Sequence, residues 1–347
     1  MKLGVLTTSY PRFPGDPAGS FVAGHVEALR ALGHTVEVVG PQIDSSLLYR
    51  GGAPDLIERS PIRGLTAGAT FTARLTAAVF ARARRWDSII AHWLVPSAIA
   101  ALPTRLPLLA IAHGGDIHTL RRLHLLEPVL HALRARGARL VFVSEQLRAI
   151  ARHAAPRLSG WLDEAVIQPM GITLDRFRSL ERAPIDPPTI VIASRLVPVK
   201  GIDVAIAAMA HVRAPARLVI AGDGPERTAL AARTTDRITF LGEVEAARRD
   251  QLLREASVVL VPSRVLASGR TEGTPMIALE ALAAGVPVVA SAVGGLRELA
   301  QIRLVPPEDP RALAAAIERT LATPPRADEL RRAVLHLDWP QVIERLQ

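Results

Sequence analysis

The sequence predicts an α/β chain of two doubly wound, Rossmann-like domains. Three observations predict it. Short β-rich runs alternate with helical stretches throughout the 347 residues, the pattern of βα units on parallel sheets. That pattern is interrupted once by a proline-rich break and then restarts. The chain is also longer than one typical domain, and 49% of it is apolar, enough for two cores. Aromatics are only 4%, so Leu, Val, Ala and Ile must fill those cores.

In the first half, strands are expected at Leu3–Thr8, Thr35–Gly40, Ser88–His92, Leu108–Ala112, Arg139–Ser144 and Val166–Met170. Helices fall between them, such as Ser20–Leu32, closed by Gly33, and Thr70–Arg85. Pro54–Thr70 reads as a loop. The break is E-R-A-P-I-D-P-P at 181–188, where three prolines in five residues suit a linker. Beyond it, strands are expected at Ile190–Ser194, Leu218–Ala221, Ile238–Leu241, Val258–Pro262 and Val286–Ser291. The expected organisation is a first domain at 1–180, a linker at 181–188 and a second domain at 189–325. Residues 326–347 are expected as a closing helix packing back on the first domain, with Pro340 kinking or restarting it. Ligands of such sheets bind beyond the carboxyl ends of the strands, so a cleft between the domains is the expected site.

Composition excludes several classes. There is no cysteine, hence no disulfide or thiolate chemistry. No apolar run reaches the roughly 18 residues that cross a bilayer, and Pro11 interrupts the N-terminal stretch too early for a signal peptide. A cytoplasmic location, peripheral to a membrane, is expected. The net charge of +9 is uneven: residues 1–180 hold 21 basic and 13 acidic side chains, the rest 21 and 20. The first half is therefore expected to meet an anionic surface or substrate. Nucleic acid is not indicated, because zinc-finger spacing, aromatic–basic interleaving and a basic tail are all missing. Arg74, Arg82, Arg84 and Arg85 cluster on one helical stretch, and Arg121, Arg122, Arg134, Arg136 and Arg139 on or beside another. Both stretches carry apolar residues at helical spacing. They suit either a solvated face or an anionic membrane surface.

The chemistry-bearing residues gather at strand ends of the second half. Only Lys2 and Lys200 are lysines among 42 basic residues. Lys200 lies in R-L-V-P-V-K-G after an expected strand and, with Arg195, makes an anion clamp strengthened by the following helix N-terminus. Gly222 and Gly224 in A-G-D-G-P permit close backbone approach. Further on come Pro262-Ser263 and the turn Val293–Glu298. In E-G-T-P-M-I-A-L-E, Thr274 is a plausible N-cap and Pro275 fits the first helical position. Glu280 then neighbours Met276, Ile277, Ala283 and Ala284, all apolar. Either an arginine elsewhere or a ligand's hydroxyls must pair with it. In the first half, Gly15–Ser20 is neither a dinucleotide fingerprint nor a P-loop. His113 ends a strand in A-H-G-G-D-I-H, with Asp116 as a cap for the next helix. Asp-x-Asp is absent, so no metal clamped by paired carboxylates is expected.

These segments, in order, resemble the retaining glycosyltransferases of the GT-B fold, family 4. The resemblance rests on the glycine-containing loop after the first strand, A-H-G-G-D, V-S-E-Q-L, M-G-I-T-L-D-R-F, S-R-L-V-P-V-K-G, I-A-G-D-G-P-E and E-G-T-P-M-I-A-L-E-A-L-A-A-G-V-P-V-V-A-S. It implies an enzyme that moves a hexose from a UDP- or GDP-type sugar to a lipid-linked or polysaccharide acceptor, without a cofactor or metal. It implies that Arg195 and Lys200 hold the donor diphosphate, Glu272 the transferred sugar and Glu280 the ribose. Gly222, Gly224, Gly273, Thr274 and Met276 would line the donor, His113 would lie near the reacting sugar, and Gly19 would sit in a closing loop. Two features depart from the pattern. V-L-A-S-G-R-T lengthens the connection before Glu272, and Gly-Thr-Pro replaces the commoner Gly-Phe-Gly, so Thr274 and Met276 must supply the amides that Pro275 lacks. Alternatives are a nucleotide-sugar epimerase or a non-catalytic nucleotide-sugar-binding protein. A phosphorylase would need a cofactor lysine, and a nicotinamide enzyme the missing fingerprint.

Overall fold

The structure is a computed structural model that describes residues 1–13, 15–16, 18–40 and 60–346. The chain forms two compact units, Met1–Gly171 with Trp339–Gln347, and Ile172–Asp338. The proline-rich segment 181–188 lies inside the second unit. Arg182 ties it there, donating to the carbonyl oxygens of Gly285 (2.8 Å) and Ala256 (2.6 Å).

The first unit holds β1 (Lys2–Leu6), β2 (Thr35–Val39), β3 (Ser88–His92), β4 (Leu108–Ala112), β5 (Arg139–Phe142) and β6 (Val166–Ile167). They form one six-stranded sheet in the order β2-β1-β3-β4-β5-β6, with every pairing parallel. The second unit holds β7 (Thr189–Ala193), β8 (Arg217–Ala221), β9 (Ile238–Gly242), β10 (Ala256–Val261), β11 (Val288–Ser291) and β12 (Arg303–Val305). Its sheet has the order β12-β11-β10-β7-β8-β9 and is also parallel. Helices cover both faces of such sheets, which is why the strands read as continuous apolar runs. Ile190, Val191 and Ile192 in β7 are all essentially inaccessible.

Strand order fixes where a ligand belongs. It reverses direction between β1 and β3 in the first sheet and between β7 and β10 in the second. Open α/β sheets bind ligands outside the carboxyl ends at such switch points. The relevant turns are thus those after β1, β3, β7 and β10.

Several expected elements differ. Of the expected loop Pro54–Thr70, residues 54–59 lie outside the described residues, and a helix runs over Pro61–Arg82. Gly64, Gly68 and the threonines disguise it. The hydroxyls of Thr66, Thr72 and Thr76 bond back to carbonyls one turn earlier, while Phe71, Leu75 and Val79 bury its inner face. The helix after Glu272 spans Met276–Ala283, with Pro275 rather than Thr274 at its N-cap. The three-residue strand β12 was not expected. At the C-terminus the chain restarts as a helix, Trp339–Leu346, with Pro340 in its first turn, where its missing N–H costs nothing.

Candidate functional site

In the second unit, the turns after β7, β8 and β10 and the turn before β12 are locked backbone against backbone by glycine. Gly222 has φ +136°, and a Cβ there would lie 1.8 Å from Ser194 O. A Cβ on Gly224 would meet Leu196 O at 2.4 Å. Gly201, at φ +60°, faces Pro262 O, and Gly294 and Gly295 face the backbones of Glu272 and Gly273. Gly222 and Gly224 thus permit a close approach to the neighbouring turn. Their effect is to hold residues 194–201 rigidly against 222–226, a contact that Leu196 N–H to Asp223 O (2.9 Å) reinforces.

On that frame sit the charged groups. Lys200 Nζ lies 2.6 Å from Glu272 Oε1, with both side chains mostly buried, and Ser263 Oγ donates to the same oxygen at 3.3 Å. Arg195 is exposed at the start of its turn. Glu280 is 6% exposed, and Arg249 Nη2, on the helix Ala246–Glu255, lies 3.2 Å from its Oε1. Of the two partners the sequence left open for Glu280, the arginine is present. Met276 opens its helix, so its N–H belongs to the first turn, whose amides lack intrahelical acceptors.

In the first unit, Gly19 has φ +64° and caps the helix Ser20–Ala31, and a Cβ there would lie 2.2 Å from Ser9 O. His113 follows β4 directly. Its Nε2 lies 3.0 Å from His92 Nδ1, and His92 Nε2 lies 3.2 Å from His25 Nδ1. Burial depresses all three imidazoles: His25 to about 4, His113 to about 3, with the His25 charge adding to the latter, and His92 well below its ordinary value. Asp116 does more than begin a helix. Its carboxylate accepts from the N–H groups of Leu94 (2.7 Å), Gly114 (2.9 Å) and Ile117 (3.0 Å), clamping the turn after β3 to the turn after β4. Burial raises its pKa against the effect of those bonds. Trp93, at φ 72°, places its ring 4.9 Å from that of His113.

Sequence reasoning missed Arg249, His25, His92 and Trp93. Arg249 carries no signal in a chain with 40 arginines. His92 could have been found, because it ends the strand beside the one that His113 follows.

Two family models match the chain: "Glycosyltransferase Family 4" over residues 18–176 and "Glycosyl transferases group 1" over 187–323. The chain belongs to the family 4 glycosyltransferases, and its two parallel six-stranded sheets are those of the GT-B fold. A putative teichuronic acid biosynthesis glycosyltransferase, TuaC of Bacillus subtilis (strain 168), is 31% identical over 253 residues, 67% of this chain and 61% of that protein. A GDP-mannose-dependent α-(1-6)-phosphatidylinositol monomannoside mannosyltransferase of Mycobacterium tuberculosis (strain H37Rv) is 36% identical over 151 residues, 38% of this chain and 39% of that protein. Anabaena HepE, crystallised with UDP-glucose, shares the fold at TM-score 0.72 and 19% identity, covering 100% of this chain and 98% of that one. The chain spans less than two thirds of the length of the curated relatives it matches.

Proposed function

We propose that the chain is a retaining, metal-independent hexosyltransferase. It takes a hexose from a UDP- or GDP-type sugar and passes it to a lipid-linked or polysaccharide acceptor in cell-envelope or exopolysaccharide synthesis. The observation that carries this reading is the Lys200–Glu272 contact of 2.6 Å at the β7/β10 switch point. A cation and a carboxylate within reach of one another can engage the phosphate and the hydroxyls of a single donor.

Cleavage of the sugar–phosphate bond leaves negative charge on the diphosphate. Lys200 and Arg195 hold fixed positive charge there, and a fixed electrostatic donor of this kind contributes roughly 3–4 kcal/mol of barrier lowering. Glu272, freed from Lys200 by the incoming phosphate, accepts from sugar hydroxyls. Glu280, oriented by Arg249, takes the ribose. Gly222, Gly224, Gly273, Thr274 and Met276 shape the donor-facing backbone, while family likeness assigns His113 to the reacting sugar and Gly19 to the closing loop. With cations fixed by the protein, the reading needs neither metal nor cofactor.

The names of the relatives support the acceptor class: one is assigned to teichuronic acid and one acts on a phosphatidylinositol mannoside. In the first unit Phe80 is 70% exposed, one turn before the exposed Arg84. Arg82 and Arg136 are engaged within the fold instead, by Glu37 and by the Leu106 carbonyl. Among the described residues no helix is long and apolar enough to cross a membrane. The proposed location is cytoplasmic, peripheral on the inner face of the plasma membrane, with Phe80 and Arg84 facing anionic lipid.

The test is a screen of UDP-, GDP- and ADP-hexoses with lipid-linked and soluble glycan acceptors in excess EDTA, with the product anomer read by NMR. Transfer with retention from one donor is expected. Loss of transfer restored by Mg²⁺ or Mn²⁺, or an inverted product, would overturn the reading.

A further inference from the structure

Behind His113 the first unit contains an arrangement to which the reading above gives no role. His25, on the helix after β1, His92, at the end of β3, and His113, after β4, form a continuous column of imidazoles. His25 and His92 are 1% and 0% exposed. The column is closed at its inner end by Trp339, whose indole stacks on His25 with centroids 5.0 Å apart and planes 6° apart. That indole fills a slot left by two glycines: a Cβ on Gly24 would lie 2.7 Å from its Nε1, and one on Gly171 2.5 Å from its Cδ2. At the outer end the His113 ring lies 5.1 Å from that of Phe21 and 4.9 Å from that of Trp93 and remains partly accessible.

We propose that His25 and His92 are positioning residues: the hydrogen-bonded column they form behind His113 fixes which nitrogen of His113 carries its proton, and so what His113 presents to substrate. The substrate half of this statement rests on the transferase reading above. The column itself does not.

The logic is that of donors and acceptors. A neutral imidazole has one N–H and one lone pair. His92 uses both nitrogens, Nδ1 toward His113 Nε2 and Nε2 toward His25 Nδ1. If His92 donates through Nδ1, it must accept at Nε2, so His25 donates from Nδ1 and His113 is left with its proton on Nδ1. If the direction reverses, all three carry the proton on Nε2. The three rings therefore share a single tautomer, and His113 Nδ1 is a donor in one state and an acceptor in the other. Burial favours the uncharged forms that this pattern requires. A lone histidine has no such constraint, because water satisfies either nitrogen.

The test is ¹⁵N NMR of the imidazoles in the ligand-free protein near neutral pH, followed by kinetics. One tautomer common to His25, His92 and His113 is expected, and different tautomers within the column would overturn the proposal. His25→Phe keeps a ring against Trp339 but removes the terminal hydrogen bond. It should change the tautomer balance of His113, two residues along the column, and lower kcat roughly tenfold with KM nearly unchanged. His92→Phe should do the same, whereas His92→Gln, which retains one donor and one acceptor, should recover most of kcat. A His113 signal indifferent to His92→Phe, or an altered tautomer with wild-type kcat, would defeat the positioning role. Failure of the transferase reading would appear separately, as absence of transfer by the wild type, and would leave the NMR result standing.

Discussion

In the first unit three imidazoles, two of them at strand ends, bond one another. In the second unit two carboxylates near strand ends are matched with cations. His25, His92 and His113 are held neutral by burial, which disfavours the charged form. The side chains of Glu272 and Glu280 are 12% and 7% exposed, each beside a cation, Lys200 or Arg249. The two solutions fail differently. Removing one partner of a buried ion pair strands a charge, whereas removing one imidazole strands only uncharged hydrogen-bonding groups. The charged site suits a ligand that brings its own charge, such as a diphosphate. The neutral site suits uncharged hydroxyls.

The largest effect should follow from removing the cation assigned to the donor diphosphate. Lys200→Ala is expected to lower kcat/KM by roughly 10²–10³, and Arg195→Ala by a smaller but clear factor, in steady-state assays on variants shown by circular dichroism to be folded. Near-normal kcat/KM in both would remove the diphosphate assignment.

Next comes the structural partner. Arg249→Ala leaves the Glu280 carboxylate buried without a cation and should cost about 3–5 kcal/mol in urea unfolding. Arg249→Met combined with Glu280→Leu should recover most of that loss, because a hydrophobic pair of similar volume avoids the stranded charge. If the double variant regains stability and still binds the nucleotide as wild type does, Glu280 serves the fold alone and not the ribose.

The two regions differ most in what could be read beforehand. Lys200 stood out because it is one of two lysines, and Glu272 and Glu280 because they bracket a fixed motif. Both signals are local. The strands other than β12 were legible for the same reason, since each is a short apolar run. The imidazole column is non-local: residues 25, 92 and 113 meet only because the strand order is β1-β3-β4, and nothing in their spacing encodes that order. Trp339 reaches His25 from the far end of the chain and was legible only as part of a helix break. The helix Pro61–Arg82 was obscured because glycine and threonine lower its local propensity, while its stability comes from the burial of Phe71, Leu75 and Val79.

A third, moderate effect separates the regions by pH. Each histidine of the column has a folded pKa below its ordinary 6.5, so between that value and about 4 the unfolded chain binds more protons. Stability from the column is therefore complete above about pH 6.5 and is lost as pH falls, by at most about 1.4 kcal/mol per pH unit for each histidine. Asp116, raised by burial, acts with the opposite sign at the acid end. Urea midpoints from pH 7 to 4.5 should fall steeply for wild type and less steeply for His92→Phe. Parallel curves would mean that the column does not set the acid sensitivity.

The smallest effect concerns the surface. Phe80→Ser should leave unfolding unchanged within about 0.5 kcal/mol, because the ring is largely exposed. The same variant should reduce co-sedimentation with anionic vesicles at low salt. Equal sedimentation would remove Phe80 from the proposed lipid-facing surface.

The most direct measurement is calorimetric titration of UDP and GDP into wild type and Lys200→Ala. Wild type should bind one of the two nucleotides well above the other, and Lys200→Ala should lose roughly 10- to 100-fold in that affinity while remaining folded, the change expected when a charge-assisted contact to phosphate is removed. Equal affinity in the two proteins, or no binding of either nucleotide by wild type, would contradict the assignment of the second unit as the donor site.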